Sequence, residues 1–148
     1  MRTVRYFLVD NEYLRNHPEV IFVYDGNFSS RFPKQFTREF SKQLHPFITH
    51  ILPRTSLNLK GLFFTPIAYL KYIYPMEERI LVKKIMENPD KQFLIDPLGY
   101  FVTYNPWDVY STVIYSRLRA KLKQFKNVTL LWLGVSRRIK NVKKTEIR

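Results

Sequence analysis

The apolar residues of the chain fall into short runs that predict five β-strands. Residues 19–24 and 128–135 are apolar on both faces of an extended backbone, which is typical of central strands in a sheet. Residues 3–9, 92–96 and 100–104 are further runs rich in aromatic and β-branched side chains. Between the last two runs, Asp96-Pro97-Leu98-Gly99 has the composition of a turn, so these two strands are predicted to form a β-hairpin.

Elsewhere the apolar residues recur at three- and four-residue steps, which predicts helices. The clearest period covers residues 32–51, where the apolar positions form one stripe. A second helix is predicted at residues 76–86 and ends before Pro89, because proline lacks a backbone N–H and clashes with the preceding turn. A third, at residues 106–125, begins with Asn105 as its cap. Together these elements predict an α+β fold with a central, mainly antiparallel sheet and helices packed on it.

Length and composition indicate one folded domain. The chain has 148 residues, of which 45% are hydrophobic, enough to bury a core, and no internal repeat is found. We expect a single α+β domain at residues 1–136 and a basic tail at residues 137–148. No apolar run reaches the roughly 18–20 residues of a membrane span, and no secretory leader is recognised at the N-terminus, so no membrane partner is expected. The absence of cysteine favours an intracellular protein without disulfides.

The net charge of +13 is the strongest global feature and predicts a polyanionic partner. We expect double-stranded DNA, bound without sequence preference, because nothing in the chain is typical of a helix that reads base edges. The predicted contacts lie in the first helix, in the basic end of the last helix and in the tail. They are Lys34, Arg38, Lys42, Arg117, Arg119, Lys121, Lys123, Arg137, Arg138 and Lys140. Ordinary solvated lysines explain the stripe at positions 34, 38 and 42 equally well.

Acidic residues are few, and three of them lie close together around the predicted hairpin. Glu87 falls in the last turn of a helix, where the dipole disfavours a carboxylate, and Asp90 and Asp96 flank the next strand. Converging carboxylates suit Mg²⁺, so Glu87 and Asp96 are the predicted metal ligands, Asp90 is a further candidate, and Lys91 is predicted to steady a phosphate. The alternative is a solvated helix end in which lysines offset the charge of Glu87.

Two other carboxylates remain open as catalytic candidates. Asp10 and Asp25 each follow a predicted strand, a common position for functional acids, although aspartate is also frequent in ordinary loops. The chain carries no Walker or Rossmann glycine pattern, and its three histidines lack the spacing of a zinc site.

These features leave two functions of different classes. The first is a nuclease that cleaves linear duplex DNA by carboxylate- and metal-assisted hydrolysis, and the second is a DNA-binding protein without chemistry. Acid placement separates them, since carboxylates near DNA repel phosphate unless they hold metal or activate water. The acids around Glu87 favour the nuclease.

The small, basic, cysteine-free chain with aromatic-rich strands, and with Glu87 on a helix before a hairpin, resembles the nucleases of filamentous viruses of hot-acid archaea, of the Acidianus filamentous virus (lipothrixvirus) type. This resemblance implies a viral protein acting in the host cytoplasm. It also implies a fold distantly similar to nucleotidyltransferases and cleavage of linear duplex DNA.

Overall fold

The protein is built on a five-stranded sheet in which every pair of neighbouring strands is parallel. The computed structural model describes residues 1–27, 35–50, 66–96 and 107–132. In sheet order the strands run β1-β5-β4-β2-β3. Their bounds are β1 (Arg2–Arg5), β2 (Val20–Asn27), β3 (Leu44–His50), β4 (Gln92–Ile95) and β5 (Val128–Trp132).

The parallel sheet makes the predicted mainly antiparallel α+β fold wrong, and the protein belongs to the α/β class. The physical reason lies in the connections, because β4 and β5 are joined by a long helix, as a parallel crossover requires. Strands buried on both faces are characteristic of parallel sheets. The continuous apolar runs of β2 and β5 therefore correctly predict buried strands, but they indicate a parallel sheet and not an antiparallel one. The second strand of the predicted hairpin, residues 100–104, lies outside the described residues.

Four α-helices are described: α1 (Asn11–Asn16), α2 (Pro66–Ala68), α3 (Tyr74–Glu87) and α4 (Trp107–Leu122). A π-helical turn, Tyr69–Ile73, joins α2 to α3. The helices predicted at 76–86 and 106–125 are confirmed, and α3 ends just before Pro89 as expected. Helix α1 was not predicted. It begins where the Asp10 carboxylate accepts a hydrogen bond from the Tyr13 backbone N–H at 2.9 Å, which places Asp10 as a helix cap.

The helix predicted at residues 32–51 is wrong. The described part of this segment forms a short 3₁₀ helix, Arg38–Gln43, followed directly by strand β3. Pro46 is the cause, since proline inside a helix removes a hydrogen bond and clashes with the preceding turn, while an extended backbone accepts it. Of the predicted stripe at positions 34, 38 and 42, Arg38 and Lys42 lie on the 3₁₀ helix and not on an α-helix, and Lys34 lies outside the described residues.

The sheet separates two apolar layers because successive side chains of a strand point to opposite faces. Helices α3 and α4 cover one face, where Val23, Phe93 and Leu130 pack against side chains such as Leu81 and Leu118. We call this the α3/α4 layer. Helix α1 and the 3₁₀ helix cover the other face, which we call the α1 layer. Its strand residues include Phe22, Leu94 and Leu131, and its helical residues include Leu14 and Phe40.

One side-chain amide ties the α1 layer together. Gln43 Nε2 lies 3.0 Å from the carbonyl oxygen of Leu14, 2.9 Å from that of His17 and 3.1 Å from that of Val20. The side-chain amide thus adds a second donor to the Leu14 and His17 carbonyls, which also accept from the backbone N–H groups of His17 and Val20. Gln43 therefore fixes where the chain enters the central strand.

No described helix combines the length and the apolar composition needed to cross a lipid bilayer.

Candidate functional site

The acidic group predicted around Glu87 is divided between two edges of the sheet. Glu87 is the last residue of α3, Asp90 lies in the exposed turn that follows, and Lys91 precedes β4. All three lie at the amino end of β4, whereas Asp96 directly follows its carboxyl end. From Lys91 to Asp96 the extended chain covers about 16 Å. The structure therefore does not bring Glu87 and Asp96 together as ligands of one metal ion.

The surroundings of Glu87 are those of an ordinary helix end. Its carboxylate lies 3.9 Å from the Lys83 ammonium, and the two side chains are 62% and 73% exposed. Such an exposed pair contributes only about 0.3–0.5 kcal/mol. Among the described residues, no three histidine or acidic side chains gather in the manner of a metal site. The catalytic roles of Glu87, Asp90 and Lys91 thus stay predictions without a converging partner.

Asp96 lies at a second place, the carboxyl edge of the sheet between β2 and β4. Its backbone N–H donates to the Val23 carbonyl at 2.9 Å, and Asp25 lies two residues beyond Val23 along β2. Burial, followed by the negative charge of Asp96, raises the pKa of Tyr6. The edge therefore carries the backbone of Asp25 and the carboxylate of Asp96 on neighbouring strands.

The two strands at this edge continue in opposite directions. After β2 the chain passes to the 3₁₀ helix in the α1 layer, and after β4 it passes to α4 in the α3/α4 layer. A reversal of this kind opens a crevice at the carboxyl ends of the strands, where open parallel sheets bind ligands. Asp96 is therefore better placed than Glu87 to act on a substrate bound at this edge.

The C-terminal half of α4 and the turn after it form a basic surface. Arg119 and Lys121 occupy the last turn of α4, Lys123 and Lys126 follow it, and all four side chains are exposed. Within the described part of the chain, none of the four lies at ion-pair distance from a carboxylate. We call these four residues the α4 basic surface. Their charges are available to an external anion.

Two hydrogen bonds connect the turn under this surface to the neighbouring turn. Asn127 Nδ2 donates to the Asn88 carbonyl at 3.2 Å and to the Lys91 carbonyl at 3.1 Å, so the turn after α4 is fixed to the turn after α3. Lys91 and Lys126 consequently lie at the same edge of the sheet. Sequence analysis treated Asn127 only as a break between elements.

A groove between α3 and α4 adjoins the α4 basic surface. It encloses about 570 Å³. Val82 and Met86 supply apolar lining, and the charged lining comprises three cations and two acids: Arg79, Lys83, Lys121, Glu78 and Glu87. Nearby, the Arg117 guanidinium lies 4.8 Å from the centre of the Tyr74 ring, a cation–π contact that orients this arginine. Arg117 is therefore held beside the surface, and the ring contact leaves its positive charge in place.

The remaining predicted DNA contacts do not join this surface. Arg38 and Lys42 are exposed on the 3₁₀ helix in the α1 layer, across the sheet from α4. Arg137, Arg138 and Lys140 lie outside the described residues, as does Lys34. The structure thus supports α4 as the centre of one basic surface and does not extend that surface to the 3₁₀ helix.

Sequence analysis missed a buried polar cluster that holds the outer strand of the sheet. Glu77, 8% exposed, accepts a hydrogen bond from the Ile48 backbone N–H at 3.0 Å, and the Tyr69 hydroxyl donates to the Ile48 carbonyl. Burial raises the pKa of Glu77, and the Ile48 hydrogen bond opposes that rise. Glu77 lies in the buried stripe formed by Tyr74, Leu81 and Ile85. An acid in an otherwise apolar stripe is the feature of the sequence that indicates a buried polar contact.

His45 extends this cluster toward the other end of β3. Its Nδ1 lies 3.5 Å from Lys84 Nζ, and burial, followed by the charge of Lys84, lowers the pKa of His45 to about 4. Burial also lowers the pKa of Lys84. The cluster supplies hydrogen-bond partners for Ile48 on the outer edge of β3 and connects this strand to α3. Its role is therefore structural.

Comparison with protein-family models, curated proteins and solved structures finds no match to this chain. The resemblance to archaeal viral nucleases therefore stays a prediction from the sequence.

Proposed function

We propose that the protein binds duplex DNA through the phosphate backbone, without sequence preference, and that the α4 basic surface is the main contact. The observation that carries this proposal is the group of four exposed cations without ion-pair partners among the described residues. The net charge of +13 adds a long-range attraction for any polyanion. Cations that meet phosphates release counterions, which supplies affinity irrespective of base sequence.

Duplex DNA fits this surface better than a single strand does. Proteins that bind single strands stack bases on exposed aromatic rings. Among the described residues, the large exposed apolar side chains include one aromatic, Tyr72, which lies in the π-helical turn and not on the α4 basic surface. A surface of cations without stacking rings matches the phosphates of a duplex.

The proposal is tested by removing the charges of the α4 basic surface without disturbing the core. The variant Lys121→Gln/Lys123→Gln/Lys126→Gln changes exposed side chains only. Fluorescence anisotropy with a labelled duplex should show affinity at least about tenfold weaker than that of the parent at low salt. The control Arg15→Gln/Arg38→Gln/Lys42→Gln removes the same formal charge from the α1 layer. Equal losses of affinity in both variants would show that binding depends on the net charge and not on the α4 basic surface. An unchanged affinity in the first variant would contradict the proposal.

A second candidate, hydrolysis of the DNA backbone, is favoured by the carboxyl edge of the sheet. Asp96 follows β4 at the point where β2 and β4 continue to opposite layers, and Asp25 lies on the adjacent strand. Carboxylates at such an edge suit a divalent cation, which would stabilise charge on a phosphodiester. This candidate keeps the nuclease hypothesis and moves its central acid from Glu87 to Asp96.

Cleavage of linear and circular duplexes, with Mg²⁺ or with EDTA, tests this candidate. Asp96→Asn should abolish Mg²⁺-dependent cutting with DNA affinity retained, and Glu87→Gln should cut as the parent does. If Glu87→Gln is inactive and Asp96→Asn cuts normally, the site belongs at the end of α3. A parent protein that binds but never cuts removes the hydrolysis candidate and leaves the binding proposal intact.

A further inference from the structure

A cavity on the α1 side of the sheet is separate from the surfaces described above. It encloses about 350 Å³ and lies across the sheet from α4, because its lining includes Val20 and Leu94 of the α1 layer. Its polar lining comes from the first strand, from α1 and the residue after it, and from the two central strands. These residues are Arg2, Arg5, Tyr13, His17, Gln92, Thr129 and one acid, Glu19. The volume falls at the lower end of the range of small-molecule sites.

Thr129 gives this cavity a buried hydroxyl group. The residue is 7% exposed and lines the cavity, beside Arg2 in the strand register. Within the described part of the chain its hydroxyl has no hydrogen-bond partner. Buried hydroxyl groups are normally paired, so an unpaired one facing a cavity indicates a missing partner.

An aromatic wall borders the same cavity. The ring of His17 stacks on Tyr13 with centroids 4.1 Å apart, and Phe7 contacts Tyr13 at 5.1 Å. His17 Nδ1 lies 2.8 Å from the Tyr13 carbonyl oxygen, which can only accept, so Nδ1 carries the proton. In the neutral ring Nε2 therefore keeps its lone pair as a hydrogen-bond acceptor.

Two arginines supply positive charge at the cavity. Arg2 and Arg5 are exposed, line the cavity, and lie at ion-pair distance from no carboxylate among the described residues. The charges of both Arg2 and Glu19 act on the Tyr13 hydroxyl. Guanidinium groups bind phosphate through paired N–H donors, which suits an anionic group entering from this side.

We propose that this cavity binds a nucleoside monophosphate. Arg2 and Arg5 hold the phosphate, the Tyr13–His17 wall packs against the base, and Thr129 and Gln92 hydrogen-bond to its polar edge. The proposal does not depend on DNA binding at α4, because the two surfaces lie on opposite faces of the sheet. The combination of paired cations, aromatic stacking and an unsatisfied buried hydroxyl distinguishes this ligand from inorganic phosphate, which needs only the cations.

Calorimetric titration of the full chain with adenosine monophosphate, uridine monophosphate, adenosine and inorganic phosphate tests the proposal. A monophosphate should bind saturably and more tightly than adenosine or phosphate alone. Arg2→Gln should weaken that binding about tenfold or more. Thr129→Val, which keeps the shape of the side chain, should weaken it about two- to tenfold.

A matched control and a second readout keep the result decisive. Thr3→Val changes an exposed threonine of the adjacent strand and should leave binding unchanged. In the absence of ligand, Thr129→Val should raise the melting temperature, because it removes an unsatisfied buried hydroxyl, whereas Thr3→Val should not. The proposal fails if the parent binds no monophosphate, or if Thr129→Val and Arg2→Gln both bind it as the parent does.

Discussion

At the scale of single residues, His45 shows how burial changes side-chain chemistry. The ring is 7% exposed and lies 3.5 Å from the ammonium group of Lys84, so a second positive charge at this place is unfavourable. These two effects lower the pKa of His45 from 6.5 to about 4. The neutral ring is therefore the form that the folded protein accepts.

This lowered pKa predicts that acid weakens the fold. Between pH 6.5 and pH 4 the unfolded chain binds a proton at His45 that the folded protein does not, so stability falls as pH falls through this range. The loss attributable to His45 is at most about 3 kcal/mol. The raised pKa of Glu77 acts in the opposite sense, since protonation relieves the cost of burying its charge.

Urea unfolding of the parent and of His45→Gln at several pH values across this range measures the effect. The parent should lose more free energy of unfolding on acidification than the variant does, because only the parent carries the titrating ring. Parallel pH profiles for the two proteins would show that His45 does not titrate with a lowered pKa.

At the scale of elements, the contact between α3 and the outer strand β3 depends on Glu77. The Ile48 N–H faces away from β2, and the Glu77 carboxylate is its acceptor. Removal of that acceptor leaves a buried donor unpaired, which typically costs about 1–3 kcal/mol. Glu77→Ala should therefore lower the free energy of unfolding by about that amount, and Glu77→Gln should cost less because its amide oxygen still accepts.

Glu87→Ala is the matched control for this prediction. Glu87 lies on the same helix but is exposed, and its loss should change stability by no more than about 0.5 kcal/mol. Denaturant unfolding of the three variants ranks them. A Glu77→Ala protein as stable as the Glu87→Ala protein would contradict the role of Glu77 in holding β3.

Local signals in the sequence predicted some elements and not others. Helices α3 and α4 combine an apolar period with a proline or a cap at one end, so pattern and boundary agree. At residues 32–51 only the apolar period favours a helix. Pro46 disfavours a helix in this segment, and it lies in strand β3. Asp10 is the opposite case, a cap residue whose short helix has too few apolar positions to show a period.

At the scale of the whole molecule, the direction of the strands determines the fold class and the positions of the acids, and local sequence patterns do not predict it. The sequence alternates strands with helices from residue 66 onward, and this order is typical of parallel sheets. The turn composition at residues 96–99 suggested a hairpin instead. Strand direction also places Glu87 and Asp96, which are nine positions apart in the sequence, at opposite edges of the sheet. The predicted carboxylate pair failed to converge for this reason.

The charge distribution was more accessible to sequence analysis than the topology. Arg119, Lys121 and Lys123 were predicted to face a polyanion, and they are exposed at one end of α4. Long cationic side chains at a helix end are rarely buried, so this inference needs no knowledge of the fold. The cavity beside Thr129 was not predictable, because β1, α1, β4 and β5 meet there only after folding.

The salt dependence of binding shows whether the α4 basic surface contacts DNA phosphates. The slope of log affinity against log salt concentration counts the phosphate contacts, at about 0.9 per contact. Lys121→Gln/Lys123→Gln/Lys126→Gln should make this slope shallower by up to about 3, uniformly for duplexes of different sequence, while Arg15→Gln/Arg38→Gln/Lys42→Gln leaves it nearly unchanged. A slope in the first variant equal to that of the parent would contradict the account.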